Sequence, residues 1–255
     1  MSERNTTWRV RHRSVTESTN LDARNGKPGD VFTADHQTAG RGRLDHRWLS
    51  SAGENLMMSA VIGVDGMPPD EVATLPLVVG LAVARAVMAF LPEGDRTAVR
   101  LKWPNDVLVE GRKVCGILCE RCGECVIAGI GVNVNQTMFP DEIADRATSL
   151  ALSAGKQTPV VAVRDAVLDE LDGLLGRWRC AGFASLWDEI SRLDFLKGRS
   201  VAVLRTDDDK VPLAGICGGI RTDGALDVAG EAVFAGEAHL SAICGIMHHQ
   251  SKRQK

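Results

Sequence analysis

The chain has 255 residues, 44% hydrophobic and 25% charged, with a net charge of −3 and a pI near 6.1. That composition is ordinary for a globular protein, and the length predicts one large domain with a small one beside it. The acidic balance argues against coating of nucleic acid, no apolar run reaches the ~18–20 residues of a membrane span, and the first thirty residues hold no signal region, so the expected location is the cytoplasm.

Residues 8–15 alternate and predict an opening strand. Ser18-Thr19-Asn20-Leu21-Asp22 reads as a helix start, with Thr19 as cap, Asp22 three residues on, and Gly26 as the stop. A short strand over 31–34 leads into a glycine-arginine loop over 37–51, and a strand over 56–62 precedes one helix over 71–91. Val99, Leu101 and Trp103 share one face of the next strand, and Arg100 and Lys102 the other. Residues 107–120 form a hairpin, in which strict alternation sets Lys113, Cys115 and Ile117 on one side and Val114, Gly116 and Leu118 on the other.

A further strand covers 126–134. Val163, Val167, Leu171, Leu174 and Trp178 recur at helical spacing, and a second amphipathic segment follows over 183–190. A boundary falls near 195–198. Beyond it, apolar runs at 201–204, 213–217, 225–228 and 232–234, split by Asp and Gly, predict a small β-barrel. The whole reads as a mixed α+β domain with an all-β appendage. The basic stretches 9–13 and 252–255 and the His248-His249 pair read as solvated termini.

Three strings carry chemistry. Gly40-Arg41-Gly42-Arg43 is by itself most simply a surface loop with solvated arginines. Its glycines allow close backbone approach and its arginines offer planar donors to carboxylate or phosphate, with Gln37 before it and Trp48 after it. Lys102-Trp103-Pro104-Asn105-Asp106 is a strand-to-turn corner. It would set Lys102 against phosphate and Asp106 against a ribose or Mg²⁺, which takes one or two carboxylates plus phosphate oxygens. Lys113 follows as a charge clamp, with Gly116 leaving room for a ligand.

Gly129-Ile130-Gly131-Val132-Asn133-Val134-Asn135 lacks dinucleotide spacing. It offers a strip of small residues followed by amides along one strand face, and reads equally well as a glycine-rich core strand. Seven cysteines do not suggest a disulfide framework. The run Cys115, Cys119, Cys122, Cys125 is spaced like metal ligands, yet buried free thiols are its simpler reading.

In this order the strings resemble the biotin protein ligase family. The resemblance runs from Glu17-Ser18-Thr19-Asn20 through Gln37-Thr38-Ala39-Gly40-Arg41-Gly42-Arg43, Lys102-Trp103-Pro104-Asn105-Asp106, Arg112-Lys113-Val114-Cys115-Gly116-Ile117-Leu118, the Gly129 string and Ala147-Thr148-Ser149-Leu150, and ends near Gly236-Glu237. It implies a class II synthetase-like catalytic domain, a mixed β-sheet flanked by helices, over 1–195. A small SH3-like β-barrel and tail would occupy 196–255.

It also implies a reaction. Biotin and ATP would give biotinyl-5′-AMP, and a lysine of a biotin carboxyl carrier protein would take the acyl group. Lys113, Arg43 and Arg41 would be catalytic. Ser18, Thr19, Asn20, Gln37, Gly40, Arg41, Gly42, Arg43, Lys113, Gly116 and Leu118 would meet biotin. Trp48, Lys102, Asn105, Asp106, Gly131 and Asn133 would meet ATP, with Asp106 holding Mg²⁺.

Two departures stand out. Leu44-Asp45-His46-Arg47 follows the arginine loop where the family commonly continues with more arginine, and Cys115 replaces a smaller residue. Only about fifteen residues precede Ser18, too few for a winged helix-turn-helix, so DNA is not an expected partner. A homodimer through a sheet edge stays among the expected partners. The rival reading is a lipoate ligase or octanoyl transferase.

Overall fold

The computed structural model describes residues 8–43, 48, 50–205 and 211–241. Leu44 to Arg47, the Asp207 to Asp209 run and the His248-His249 tail lie outside the described residues, and so do the readings placed on them.

Seven strands form one mixed sheet: β1 (Arg9–Thr16), β2 (Asp30–Gln37), β3 (Leu56–Gly63), β4 (Val99–Lys102), β5 (Asp106–Val109), β6 (Arg112–Cys122) and β7 (Cys125–Val132). Their order is β1-β2-β3-β7-β6-β5-β4. β1 and β2 are parallel and every other neighbouring pair is antiparallel. Between β1 and β2 lies the short helix α1 (Thr19–Asp22), whose N-cap is Ser18 rather than Thr19. Thr19 and Asp22 are spent elsewhere: Thr19 on Gln37, and Asp22 on the hydroxyl of Thr16, 2.8 Å away.

One face of the sheet is covered by helices. The expected helix over 71–91 is two, α2 (Pro69–Ala73) and α3 (Leu75–Phe90), meeting at Thr74. Pro76 sits in the first turn of α3, where its missing N–H costs no helical bond. α3 is buried nearly all round, because it lies between the sheet and α5 (Val160–Ala181). Gly80 is the point of close approach: a Cβ there would lie 3.3 Å from Leu101. A short helix, α4 (Leu150–Ala154), was not expected. Its start is fixed by Ser149, whose hydroxyl accepts the amide of Leu152.

After α6 (Ala184–Leu193) the chain forms a five-stranded antiparallel sheet. Its strands are β8 (Ser200–Leu204), β9 (Leu213–Ile220), β10 (Leu226–Val228), β11 (Glu231–Val233) and β12 (Glu237–Leu240), in the order β11-β10-β9-β8-β12. β12 escaped the sequence reading because only Ala238 and Leu240 of its four residues are apolar. The joint is held by backbone groups and by three side chains that bond them. Phe195 donates its amide to Leu101, and the Asp194 carboxylate accepts the amides of Leu196 and Ile220. The Trp187 and Trp103 indoles donate to the carbonyls of Ile220 and Gly224.

Candidate active site

The register of the sheet assembles the site. Partners across β3, β7, β6, β5 and β4 set Met57, Gly131, Gly116, Asp106 and Lys102 in one row. Two residues along, Ser59, Gly129 and Leu118 form a second row. Opposed residues on adjacent strands project to the same side. Strings far apart in sequence therefore line one cavity of about 500 Å³. All of the expected site residues line it except Gly40. Gly40 sits instead at the base of the arginine loop, its carbonyl accepting the amide of Trp48, where a Cβ would come within 2.6 Å of the Trp48 carbonyl.

One end of the cavity is a closed polar network. The Gln37 amide oxygen accepts both the backbone N–H and the hydroxyl of Thr19. The Ser59 hydroxyl stands 2.7 Å from Thr19 Oγ1 and 2.6 Å from Asn20 Oδ1. Asn20 Nδ2 donates to the Glu120 carboxylate at 2.6 Å, and the other Glu120 oxygen accepts from Arg41 at 3.3 Å. Ser59 and Glu120 were not anticipated. Ser59 lies in an otherwise apolar strand, where a lone hydroxyl buried on the pocket face is the signal that could have found it. Gly129 is what admits Asn20, since a Cβ there would lie 2.3 Å from Asn20 Oδ1.

The other end is cationic. Lys113 Nζ lies 2.6 Å from Asp106 Oδ1. Strict alternation had set Lys113 on the side of Cys115 and Ile117; the structure does not follow it. A bulge between Val107 and Leu108 shifts the register, so Leu108 opposes Lys113 while Val107 opposes Cys115. Lys113 then shares the cavity face with Gly116, its Cε 3.0 Å from where a Gly116 Cβ would stand, while Val114 and Cys115 are both buried. The Lys113 backbone leaves the ladder to bond residues 146–148: its N–H donates to the Arg146 carbonyl, and its carbonyl accepts the Thr148 amide.

Arg43 reaches across to the small sheet, donating to Asn105 Oδ1 at 3.4 Å and to the Gly236 carbonyl at 3.1 Å. Burial lowers the pKa of its guanidinium, opposed by the carboxylates of Glu237 and Asp106. Arg146, Glu237 and His239 also line this end and were missed, the last two because β12 itself was.

Asn133 does not present a free amide nitrogen. Its Nδ2 donates to the Thr148 carbonyl, and Asn135 holds Thr158 through two bonds, so the alternating strip stops at Val132. The Trp48 ring lies over the paired glycines, 2.6 Å from a Gly131 Cβ and 3.1 Å from a Gly116 Cβ, with its indole N–H buried and unpartnered. Gly116, assigned by resemblance to biotin, and Gly131, assigned to ATP, are thus one floor under one ring. Among the described residues no group of three metal-ligating side chains is present, and the cysteine run does not assemble one. Cys115 is buried and Cys119 partly buried, the latter with its thiol pKa pushed up by desolvation to about 12.

The comparisons agree with this geometry. A bifunctional ligase/repressor BirA of Bacillus spizizenii is 41% identical over 140 residues, 52% of this chain and 42% of that protein. The biotin–[acetyl-CoA-carboxylase] ligase of Mycobacterium tuberculosis is 38% identical over 175 residues, 65% of this chain and 64% of that one. The enzyme of that name from Paracoccus denitrificans is 33% identical over 184 residues, 67% of this chain and 75% of that one. The chain thus spans less than two thirds of the Bacillus and Mycobacterium relatives. A biotin protein ligase from Aquifex aeolicus, solved with biotin and ATP, superposes with a TM-score of 0.78 at 31% identity, covering 91% of this chain and 98% of that one. The sequence pattern of the biotin/lipoate A/B protein ligase family matches residues 9–136, the stretch that carries the polar network, the arginine loop and Lys113. The chain belongs to that family.

Proposed function

We propose that this chain is an ATP-dependent biotin ligase, forming biotinyl-5′-AMP and passing the acyl group to a lysine of a biotin carboxyl carrier protein. The observation that carries it is the polarity of the cavity between the sheet, the arginine loop and β12. Hydroxyls and amides close one end, and cations crowd the other, with Trp48 between them. A ureido ring needs both donors and acceptors, which Thr19, Asn20 and Gln37 offer at the cavity wall, with Ser59 holding Thr19 and Asn20 from behind. A dithiolane or an alkyl chain has no amide with which to bond these groups, so it would gain nothing from them. This favours biotin over lipoate or octanoate.

In the first step a biotin carboxylate oxygen bonds the α-phosphorus of ATP while the bond to pyrophosphate breaks. Lys113, Arg43 and Arg41 offset the repulsion of two anions and stabilise charge on the phosphorus oxygens. Lys102 and Asn105 stand where nucleotide phosphates would lie. Asp106 is already paired with Lys113, so Mg²⁺ would be held there only with phosphate oxygens completing its ligands, and it would supply charge neutralisation. In the second step the carrier amine attacks the acyl carbon and AMP leaves. The arginine loop and Trp48 keep water from the mixed anhydride until then.

Residues 1–195 form the catalytic domain in this reading, and 196–255 an SH3-like barrel with its tail, supported by the five antiparallel strands. No described helix is long and apolar enough to cross a membrane; we assign the enzyme to the cytoplasm. A homodimer would use β1, one of the two outer strands of the large sheet. ATP–pyrophosphate exchange measured with biotin, lipoate and octanoate tests the proposal. Exchange with biotin alone is expected, and exchange only with the others would overturn it.

A further inference from the structure

Two thiols of the cysteine run stand outside the ligase chemistry: Cys122 donates to the Arg24 carbonyl at 3.6 Å, and Cys125 packs at the edge of the small cluster of Ala23, Val61 and Ile127. Cys122 and Cys125 are register partners at the end of the β6–β7 hairpin, separated by the two-residue turn Gly123-Glu124. Gly123 takes φ +59, which a turn of this length asks of its first central residue. Directly opposed residues on antiparallel strands have Cα atoms about 4.5–5.5 Å apart, inside the range of about 4.4–6.8 Å that a disulfide spans. Opposed side chains also project to the same face of the sheet. Cys122 is exposed and Cys125 partly buried, so a reagent reaches one thiol first and the second stands beside it. Cys180 is exposed on α5, far along the chain and outside this hairpin, and serves as an internal comparison.

We propose that Cys122 and Cys125 form a dithiol site that reacts with small disulfides such as oxidised glutathione and closes within the hairpin. The Cys122 thiolate attacks one sulfur of the reagent, forming a mixed disulfide and releasing one thiolate. The Cys125 thiolate then attacks the Cys122 sulfur and releases the second. The protein loses two electrons and two protons, and one small disulfide becomes two thiols. Burial and the neighbouring Cys122 and Glu124 raise the Cys125 pKa, so closure accelerates as pH rises.

The test treats the full chain with oxidised glutathione, quenches with acid, and maps the cysteine peptides by mass. The expected product lacks two hydrogens in the peptide holding residues 122–125, while Cys180 gains one glutathionyl group and does not close. In Cys125→Ser the adduct on Cys122 should persist instead of being lost. A stable glutathionyl group on Cys122 in the unaltered chain would overturn the proposal. So would a disulfide joining either thiol to another cysteine, or a hairpin peptide that stays fully reduced while Cys180 is modified.

Discussion

Gly129→Ala tests the polar network with one methyl group. Gly129 has an ordinary backbone conformation, absent from the positive-φ glycines, so alanine brings no backbone strain. Its Cβ would stand 2.3 Å from Asn20 Oδ1, closer than real Cβ contacts come, and 3.0 Å from Asn20 Cγ, which is tight. Asn20 is only 4% exposed, and to clear the new Cβ its side chain must swing toward the cavity that it lines. It must give up its contact with Ser59 and its bond to Glu120. A neutral bond contributes about 1 kcal/mol and one to a charged group about 1.5–3, so the variant should lose roughly 2–4 kcal/mol. At about 2–4 °C per kcal/mol for a protein of this size, the melting temperature should fall by about 4–16 °C. Calorimetry of unfolding gives that shift, and titration calorimetry with biotin should show weakening of at least about tenfold from the disordered ring site. A variant that melts as the parent does and binds biotin equally well would refute the argument that Gly129 exists to admit Asn20.

Other outcomes follow from the same geometry. Lys113→Ala should slow adenylate formation by about 100-fold or more while leaving the fold intact; a near-normal rate of pyrophosphate release would remove Lys113 from catalysis. Arg43→Gly removes the bonds to Asn105 and Gly236 and should let the adenylate escape, so that bystander lysines become biotinylated; adenylate retained without such labelling counts against the lid role. Asp30 has its pKa held below the ordinary 3.8, chiefly by the Lys27 amide and, against the opposing effect of burial, by Arg9 and Arg11. Its contribution is therefore present above that ordinary value and lost as pH falls through the lowered one. The stability gap between parent and Asp30→Asn should close in acid, and a gap that stays constant from neutral pH into that range would show that Asp30 acts through something other than its charge.

What was legible in the sequence was what short-range pattern can carry. Period-two and helical spacing found most strands and the long helices, and glycine and arginine strings marked the loop. The misses were residues whose position depends on partners far away. A bulge at Val114, beside Lys113 on β6, breaks alternation, and residues 146–148, distant in sequence, bond the Lys113 backbone there. Thr19 could have capped its helix, but Gln37 competes for its hydroxyl. Glu120 looks like any charged residue on a hairpin until β3, α1 and the loop are brought around it. β12 is too short and too polar to announce itself, yet it supplies Glu237 and His239 to the cavity.

Arg43 takes a main-chain oxygen as its acceptor, and that has a genetic consequence. No side-chain replacement at position 236 deletes a carbonyl, so the contact is lost only by moving the strand. Gly236 holds φ +143, and a Cβ there would lie 2.4 Å from the Leu204 carbonyl, so any other residue must move it. A change at Gly236 would be scored as damage to the small sheet, while its phenotype would be that of a loop mutant 193 positions upstream. A second-site suppressor screen started from Gly236 variants should then return to the arginine loop and to Asn105 rather than to the neighbours of Gly236 in β8.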